Sequence, residues 1–281
     1  MDVEVRPARR SDKAPLMSFI KDVWGGHDYI PTVWDRWIRD TKNRVYVVVV
    51  DGVPVGMNRT RLMEDGSAWL EGVRVHPEYR SRGLASMLGE NSMRVAKGLG
   101  ISTFRLTSGS SNHTAHRQIA RIEFKEVARF SVYEPPKGRR GAGGARRVGQ
   151  GGAADAYAAI RGTAEYRLGG GVFWHDFAAA SLTPEVVDLL VREGAVWRLG
   201  RAAAVVRDGG GGAETWKQIC FLGGEPGDAV RLAKALTAGW RRADERWVFL
   251  PQGSPIIHQL RLAGFRRYLS NILFERRSAK G

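Results

Sequence analysis

Residues 69–88, WLEGVRVHPEYRSRGLASML, decide how this chain is read. Leu70, Gly72 and Arg74 fall on one side of an extended segment and Glu71, Val73 and Val75 on the other, because successive side chains of a strand point to opposite faces. Pro77 stops the ladder, since it has no N–H to donate. The chain must then turn, and Arg80-Ser81-Arg82-Gly83-Leu84-Ala85 leads into a run whose apolar positions follow a helical period. Gly83 permits close approach to the backbone, and Ala85 leaves the first turn unobstructed. The first N–H groups of a helix have no partner within it, and the positive end of the dipole favours a phosphate. Arg80 and Arg82 add positive charge. A short Arg/Gly turn is also a common surface connector, so this segment alone leaves both readings open.

The rest of the first half supplies a setting. Residues 3–6 form a short strand candidate, Ser11-Asp12 an N-cap, and a helix is expected to run towards Val23 with Pro15 in its first turn. Gly25-Gly26 ends it, and a second helix over 32–40 places Val33, Trp34, Trp37 and Ile38 on one face. The β-branched run 44–50 turns at Asp51-Gly52 into 53–62, and Glu64-Asp65-Gly66 turns again into 67–75. Beyond the loop and helix, 102–107 is a strand, 112–121 a helix and 125–133 a strand, closed by Pro135-Pro136. The expected class is therefore α+β, with a mixed sheet and one crossover helix.

Composition limits the function classes. At 281 residues the chain can build two cores, and 43% hydrophobic residues is the share of a globular protein. No basic-then-apolar leader and no apolar run of about 20 residues is present, so the cytosol is the simplest location and a membrane partner is not expected. The single cysteine, Cys220, lies in an apolar run and reads as a buried small hydrophobe. A formal charge of +15 raises the question of nucleic acid. The densest basic excess, however, falls in the stretch 136–165, read as a flexible tether, whose glycine-interleaved arginines 139–147 have no aromatic ring among them to stack on bases. No metal-ligand spacing stands out, and homodimerisation is left open.

Val75-His76-Pro77 followed by Arg80-x-x-Gly83-x-Ala85 resembles motif A of the GNAT superfamily of acetyl-CoA-dependent N-acetyltransferases. The element order over residues 1–135 is also similar to that of the family. The resemblance implies a GNAT fold whose fourth and fifth strands splay apart, with the pyrophosphate of acetyl-CoA on Arg80, Ser81, Arg82, Gly83, Leu84, Ala85 and Ser86. It also implies that backbone N–H groups near Val73 and Val75 polarise the acetyl carbonyl where the strand bulges, and that Asn112 opens the next helix beside the cofactor. Glu71 becomes the candidate base for the acceptor amine, against the plainer reading of a carboxylate paired with Arg74 or another arginine. The family's tyrosine acid is replaced by Ile119 and its following glycine by Glu123, which leaves His113, His116 and Tyr133 as candidates for protonating the thiolate.

His27-Asp28-Tyr29-Ile30-Pro31, Trp37-Ile38-Arg39-Asp40 and Glu71-Gly72-Val73-Arg74-Val75-x-Pro77 resemble more narrowly the histidine N-acetyltransferase branch of that family. This implies a small-molecule amine as acceptor, in first place the α-amino group of a free amino acid. Asp28 is then expected to hold an ammonium, with Tyr29, Trp34 or Trp37 as an aromatic wall, although Trp34 and Trp37 at i, i+3 also suit an ordinary core. Alternatives are a peptide or aminoglycoside acceptor, and a non-enzymatic acetyl-CoA sensor or nucleic-acid binder. Residues 166–281 repeat a degraded version of the pattern: strands at 198–207, 214–222, 246–250 and 267–274, and helices at 228–240 and 254–263. The place of the phosphate loop is held there by Gly223-Gly224-Glu225-Pro226-Gly227, whose carboxylate repels phosphate, so this second GNAT-like domain is expected not to bind acetyl-CoA.

Overall fold

The computed structural model describes residues 2–137, 143–211, 214–240 and 245–278. In chain order the elements are β1 (Val3–Pro7), α1 (Lys13–Ile20), α2 (Ile30–Arg39), β2 (Arg44–Val50), β3 (Val53–Leu62), β4 (Ala68–Val75), α3 (Leu84–Gly98), β5 (Thr103–Gly109), α4 (His113–Arg121), β6 (Lys125–Glu134) and β7 (Arg146–Arg147). There follow α5 (Ala153–Arg161), α6 (Ala164–Leu168), β8 (Val172–His175), β9 (Ala178–Ser181), α7 (Pro184–Arg192), β10 (Val196–Leu199), β11 (Ala202–Gly211), β12 (Glu214–Gly224), α8 (Pro226–Thr237), β13 (Glu245–Pro251), α9 (Ile256–Leu262) and β14 (Arg266–Arg277).

Contacts divide the chain into two compact units, neither of them continuous in sequence. The first holds Met1–Leu106, Asn112–Lys125 and Phe274–Gly281, and the second Thr107–Ser111 and Glu126–Leu273. The strand expected to close a domain at residue 135 thus lies almost wholly in the second unit, and the end of β14 lies in the first.

Within the first unit the strand order is β1-β2-β3-β4-β5, followed by the end of β14. β2 explains the layering. Val45, Val47 and Val49 pack with Leu16, Ile20, Ile30, Trp34 and Trp37 of α1 and α2. Tyr46, Val48 and Val50 pack with Leu84 and Leu88 of α3. A strand covered on both faces must be apolar at every position, which is why RVYVVVV shows no alternation. Asp51-Gly52 makes the expected two-residue turn, with φ of 48° and 82° and Val50 opposite Val53.

Two expectations at the start of the chain are corrected. Asp12 does not cap α1; its carboxylate takes Arg6 through both oxygens at 2.8 Å and the Arg9 N–H at 2.6 Å. The first helix stops at Ile20, and a separate 3-10 turn covers Val23–Gly26. The second helix starts at Ile30 with Pro31 in its first turn, where the missing N–H costs nothing.

In the second unit the strand order is β14-β6-β13-β12-β11-β10-β7, with β8 and β9 forming a separate hairpin. Its core gathers Leu222, Leu232, Val248, Leu250, Ile256 and Leu260. The strand expected at 198–207 is two, β10 and β11, joined at Gly200 and Arg201 with Gly200 at φ 55°. The expected tether 136–165 is also corrected: residues 138–142 lie outside the described residues, but from Arg146 the chain is folded. α5 buries Ala156 and Ile160, and Glu165 is 1% exposed. Its alanines are strong helix formers, which outweighs the glycine-rich composition around them. Cys220 is buried, as expected.

Two charge clusters hold the first unit and can be tested by unfolding. Arg105, 3% exposed, bonds Asp65 at 2.6 Å and Glu275 at 2.7 Å. Arg105→Met takes the shared arginine from two enclosed carboxylates, leaving Asp65 with Ser67 and Glu275 with Arg277, and is expected to cost about 3 kcal/mol in urea titrations. Burial pushes Asp12 up, but the Arg6 guanidinium and the Arg9 N–H outweigh it and hold the carboxyl below its ordinary value. Its stabilising contribution is therefore full above the unfolded value of about 3.9 and is lost as pH falls through the lower folded one. The difference in urea midpoint between wild type and Asp12→Asn should shrink accordingly on acidification; a difference independent of pH would refute the linkage.

Candidate active site

β4 ends at Val75 and the chain passes through a 3-10 turn, Pro77–Tyr79, before Gly83 opens α3. Two left-handed residues shape this loop: Ser81 at φ 63° and Gly83 at φ 80°. A side chain is strained in that region, so glycine at 83 answers a backbone need. A Cβ there would meet nothing within 4 Å, so the outer side of the loop has room for a ligand. Arg80 donates to the Val75 carbonyl at 3.2 Å, and Arg82 donates to the Glu78 carbonyl at 3.1 Å while lying over the Tyr79 ring. Ser81, Arg82 and Gly83 are exposed, whereas Leu84, 2% exposed, anchors the helix start in the core. The N–H groups of Leu84, Ala85 and Ser86 belong to the first turn of a 15-residue helix, where an anion is favoured. Loop and helix start therefore fit a diphosphate.

Directly upstream, β4 bulges. In its pairing with β3, Met57 faces Arg74 and Arg59 faces Glu71, so that Gly72 and Val73 together oppose Asn58. Gly72 has φ 68°, and a Cβ on it would come within 3.1 Å of the Trp37 ring. Both the turn of the backbone and the close approach of the indole require glycine. Asn58, fully buried, donates to the Leu88 carbonyl at 3.2 Å and to Ser92 Oγ at 2.9 Å, which ties the bulge to α3. The parallel ladder between β4 and β5 covers only Ala68 with Phe104 and Trp69 with Arg105. From Leu70 on, β4 is no longer laddered to β5, which is the splay the sequence led us to expect. Val73 is 40% exposed, while Val75 packs at the edge of the α3 cluster.

The acceptor-side residues are arranged differently from expectation. Glu71 is paired with an arginine, as its plainer reading had it, and of the arginines that reading left open it is Arg59, at 2.5 Å. Arg59 also bonds Asp40 at 2.9 Å and lies 4.7 Å over the Trp37 ring. Asp28 is not an open ammonium anchor: its side chain is fully enclosed, bonded to Arg74 Nε at 2.6 Å and to the Ile30 N–H at 2.9 Å. Trp34 is 1% exposed within the core between α2 and β2, so it forms no substrate wall. Tyr29, 41% exposed, stands edge-on to Trp37 at 5.9 Å with Arg74 over its ring.

Asn112 caps α4, accepting from the Ala115 N–H at 3.1 Å. His113 and His116 meet edge to face at 5.7 Å on that helix, and His116 also lies against Phe274. Tyr133 is withdrawn as a proton donor, because it is 2% exposed in the core of the second unit. Glu123, at the position where the family pattern has glycine, keeps a left-handed φ of 60° and pairs with Arg276. In the second unit the start of α8 is occupied by the chain's own carboxylates. Glu225 accepts from the Asp228 N–H at 2.9 Å, Asp228 from the Arg201 N–H at 2.7 Å, and Glu165 from the Gly224 N–H at 3.1 Å. Arg59 and Asn58 escaped the sequence reading; counting the hairpin register with one bulge residue in β4 would have set both beside Glu71 and Gly72. Among the described residues no cluster of three or more His, Cys, Asp or Glu side chains is arranged to hold a metal ion, and no helix is long and apolar enough to cross a membrane.

Comparison with known proteins agrees with this geometry. The model of the acetyltransferase (GNAT) family matches residues 13–124. A histidine N-acetyltransferase of Oreochromis niloticus is 33% identical over 82 residues, which is 29% of this chain and 24% of that protein. One of Xenopus tropicalis is 31% identical over 83 residues, 29% of this chain and 26% of that protein. The match thus spans about a quarter of the length of these relatives. Among solved structures, a GCN5-related N-acetyltransferase of Sphaerobacter thermophilus superposes with a TM-score of 0.63 at 15% identity, covering 98% of this chain and 95% of that one. The loop, the bulge and the splayed strands all lie inside the segment, residues 13–124, that matches the model of the acetyltransferase (GNAT) family.

Proposed function

We propose that this chain transfers the acetyl group of acetyl-CoA to the primary amine of a small molecule, in first place the α-amino group of a free amino acid. One observation carries the reading: a single strand brings a carboxylate, a bulge and a helix start into succession, at Glu71, Gly72-Val73 and Gly83-Leu84. Acetyl-CoA supplies an activated thioester. The first turn of α3, Arg80 and Arg82 meet the charge of its diphosphate. The bulged backbone at Val73 turns its N–H groups towards the carbonyl oxygen, which gains negative charge as the amine attacks. Glu71 takes the proton that the amine must lose to become a nucleophile; the C–S bond breaks as the adduct collapses, and coenzyme A leaves as a thiolate that takes a proton from solvent. Tyr29 offers the acceptor an exposed aromatic face. The names of the relatives support an amino-acid acceptor. On this reading the first unit is catalytic. The second is a GNAT-like unit that does not bind acetyl-CoA, because Glu225 already accepts from the Asp228 N–H at the start of α8 and puts a negative charge there.

The reading makes two separable predictions. Gly83→Glu places a carboxylate and a strained side chain on the loop, and should weaken acetyl-CoA binding at least about tenfold in calorimetry at a temperature where the variant, somewhat lowered in melting temperature, is still folded. Glu71→Gln should leave that affinity alone and lower kcat by about 10²-fold, measured as free thiol released over a panel of amino acids. Release of thiol with peptides only, and with no free amino acid, would exclude the acceptor class.

A further inference from the structure

Arg59 is enclosed, with its side chain 8% exposed, and its guanidinium is fixed from three directions. Nη1 holds Glu71 Oε1, Nη2 holds Asp40 Oδ2, and the Trp37 indole lies beneath the plane. Asp40 is itself saturated: Oδ1 accepts from the N–H groups of Lys42 and Asn43, and Oδ2 from the Asn43 amide. Burial pushes Asp40 up, but these donors and Arg59 outweigh it and hold its carboxyl below the ordinary range. Asp40 thus serves as a fixed anion for Arg59. Glu71 is different, since Oε1 takes Arg59 and Oε2 takes no hydrogen bond among the described residues.

The arrangement suits a carboxylate that must keep one oxygen in place while the other meets a substrate. Arg59 and Glu71 are directly opposite in the β3–β4 ladder, next to the bulge. Trp37 touches both the guanidinium and the backbone of Gly72. One positive charge shared between two carboxylates also leaves the cluster anionic, which favours the arrival of a protonated amine. We propose that Arg59, anchored by Asp40 and Trp37, is a positioning residue that orients Glu71 for the acceptor amine. It holds Oε1 so that Oε2 faces the amine, and it does not itself touch the substrate. This rests on the reading of Glu71 as the proton acceptor.

The test uses the full chain and compares Arg59→Ala, Arg59→Lys, Asp40→Asn and Glu71→Gln, with thiol release and acetyl-CoA calorimetry on each. Arg59→Ala is expected to lower kcat at least about tenfold with acetyl-CoA affinity unchanged, and added guanidinium, but not sodium chloride of equal ionic strength, should restore part of the rate. Arg59→Lys should fall between wild type and alanine. Arg59→Ala in the Glu71→Gln background should cost little more, because both act through one carboxylate. If Arg59→Ala does not fold, Asp40→Asn carries the test through a loss of kcat that disappears in the Glu71→Gln background. Full activity in folded Arg59→Lys and Asp40→Asn, beside an impaired Glu71→Gln, would overturn the inference alone, as would additive losses. An unimpaired Glu71→Gln would overturn the reading of Glu71 as well.

Discussion

The bulge in β4 is the constraint on which the first unit depends. One extra residue opposite Asn58 re-aims the strand, and glycine is needed at that position twice over, by φ and by contact with Trp37. The two neighbours of the bulge then fall to opposite tasks. On the α3 side, Asn58 ties it to Leu88 and Ser92, which fixes the helix that follows the Arg80–Gly83 loop. On the α2 side, Trp37 carries the contact to Arg59 and through it to Glu71. A local irregularity of backbone thus sets the relation between the loop before α3 and the Glu71 carboxylate.

Much of this was legible in the sequence, and the reasons for what was not are specific. The strand, break and helix start in residues 69–88 are local features, each set by Pro77, Gly83 or an alternating pattern. The splay and the bulge followed from likeness to a family and are present. Asp28 and Trp34 were misassigned because a short polar or aromatic motif does not say which way it faces. The carboxylate of Asp28 is enclosed by Arg74, a partner 46 positions away, and Trp34 faces β2. Arg59 was missed for the related reason that its pairing with Glu71 exists only once the register of the hairpin is known. Asp12 looked like a helix cap until Arg6, six residues earlier, offered it a stronger charged partner.

The second half shows how composition misleads. A glycine- and arginine-rich stretch suggested a tether, yet the alanine-rich segment that follows is a helix with a buried face. The start of α8 keeps the strand, loop and helix of an anion site. There the Asp228 N–H is taken by Glu225 of the chain itself, so the same backbone form occurs with a carboxylate at its helix start.

The residues that complete the first unit have a consequence for how the protein is made. Glu275 bonds Arg105 across 170 positions, and the Ser278 N–H bonds the Ser102 carbonyl. A ribosome emitting the chain from its start releases Arg105 and Asp65 long before their partner exists. The first unit must therefore wait for the second to be synthesised before its own edge is paired. Folding of the first unit is then a late event of the whole chain, and expression of residues 1–135 by themselves yields a sheet with a missing neighbour and an arginine whose second carboxylate never arrives.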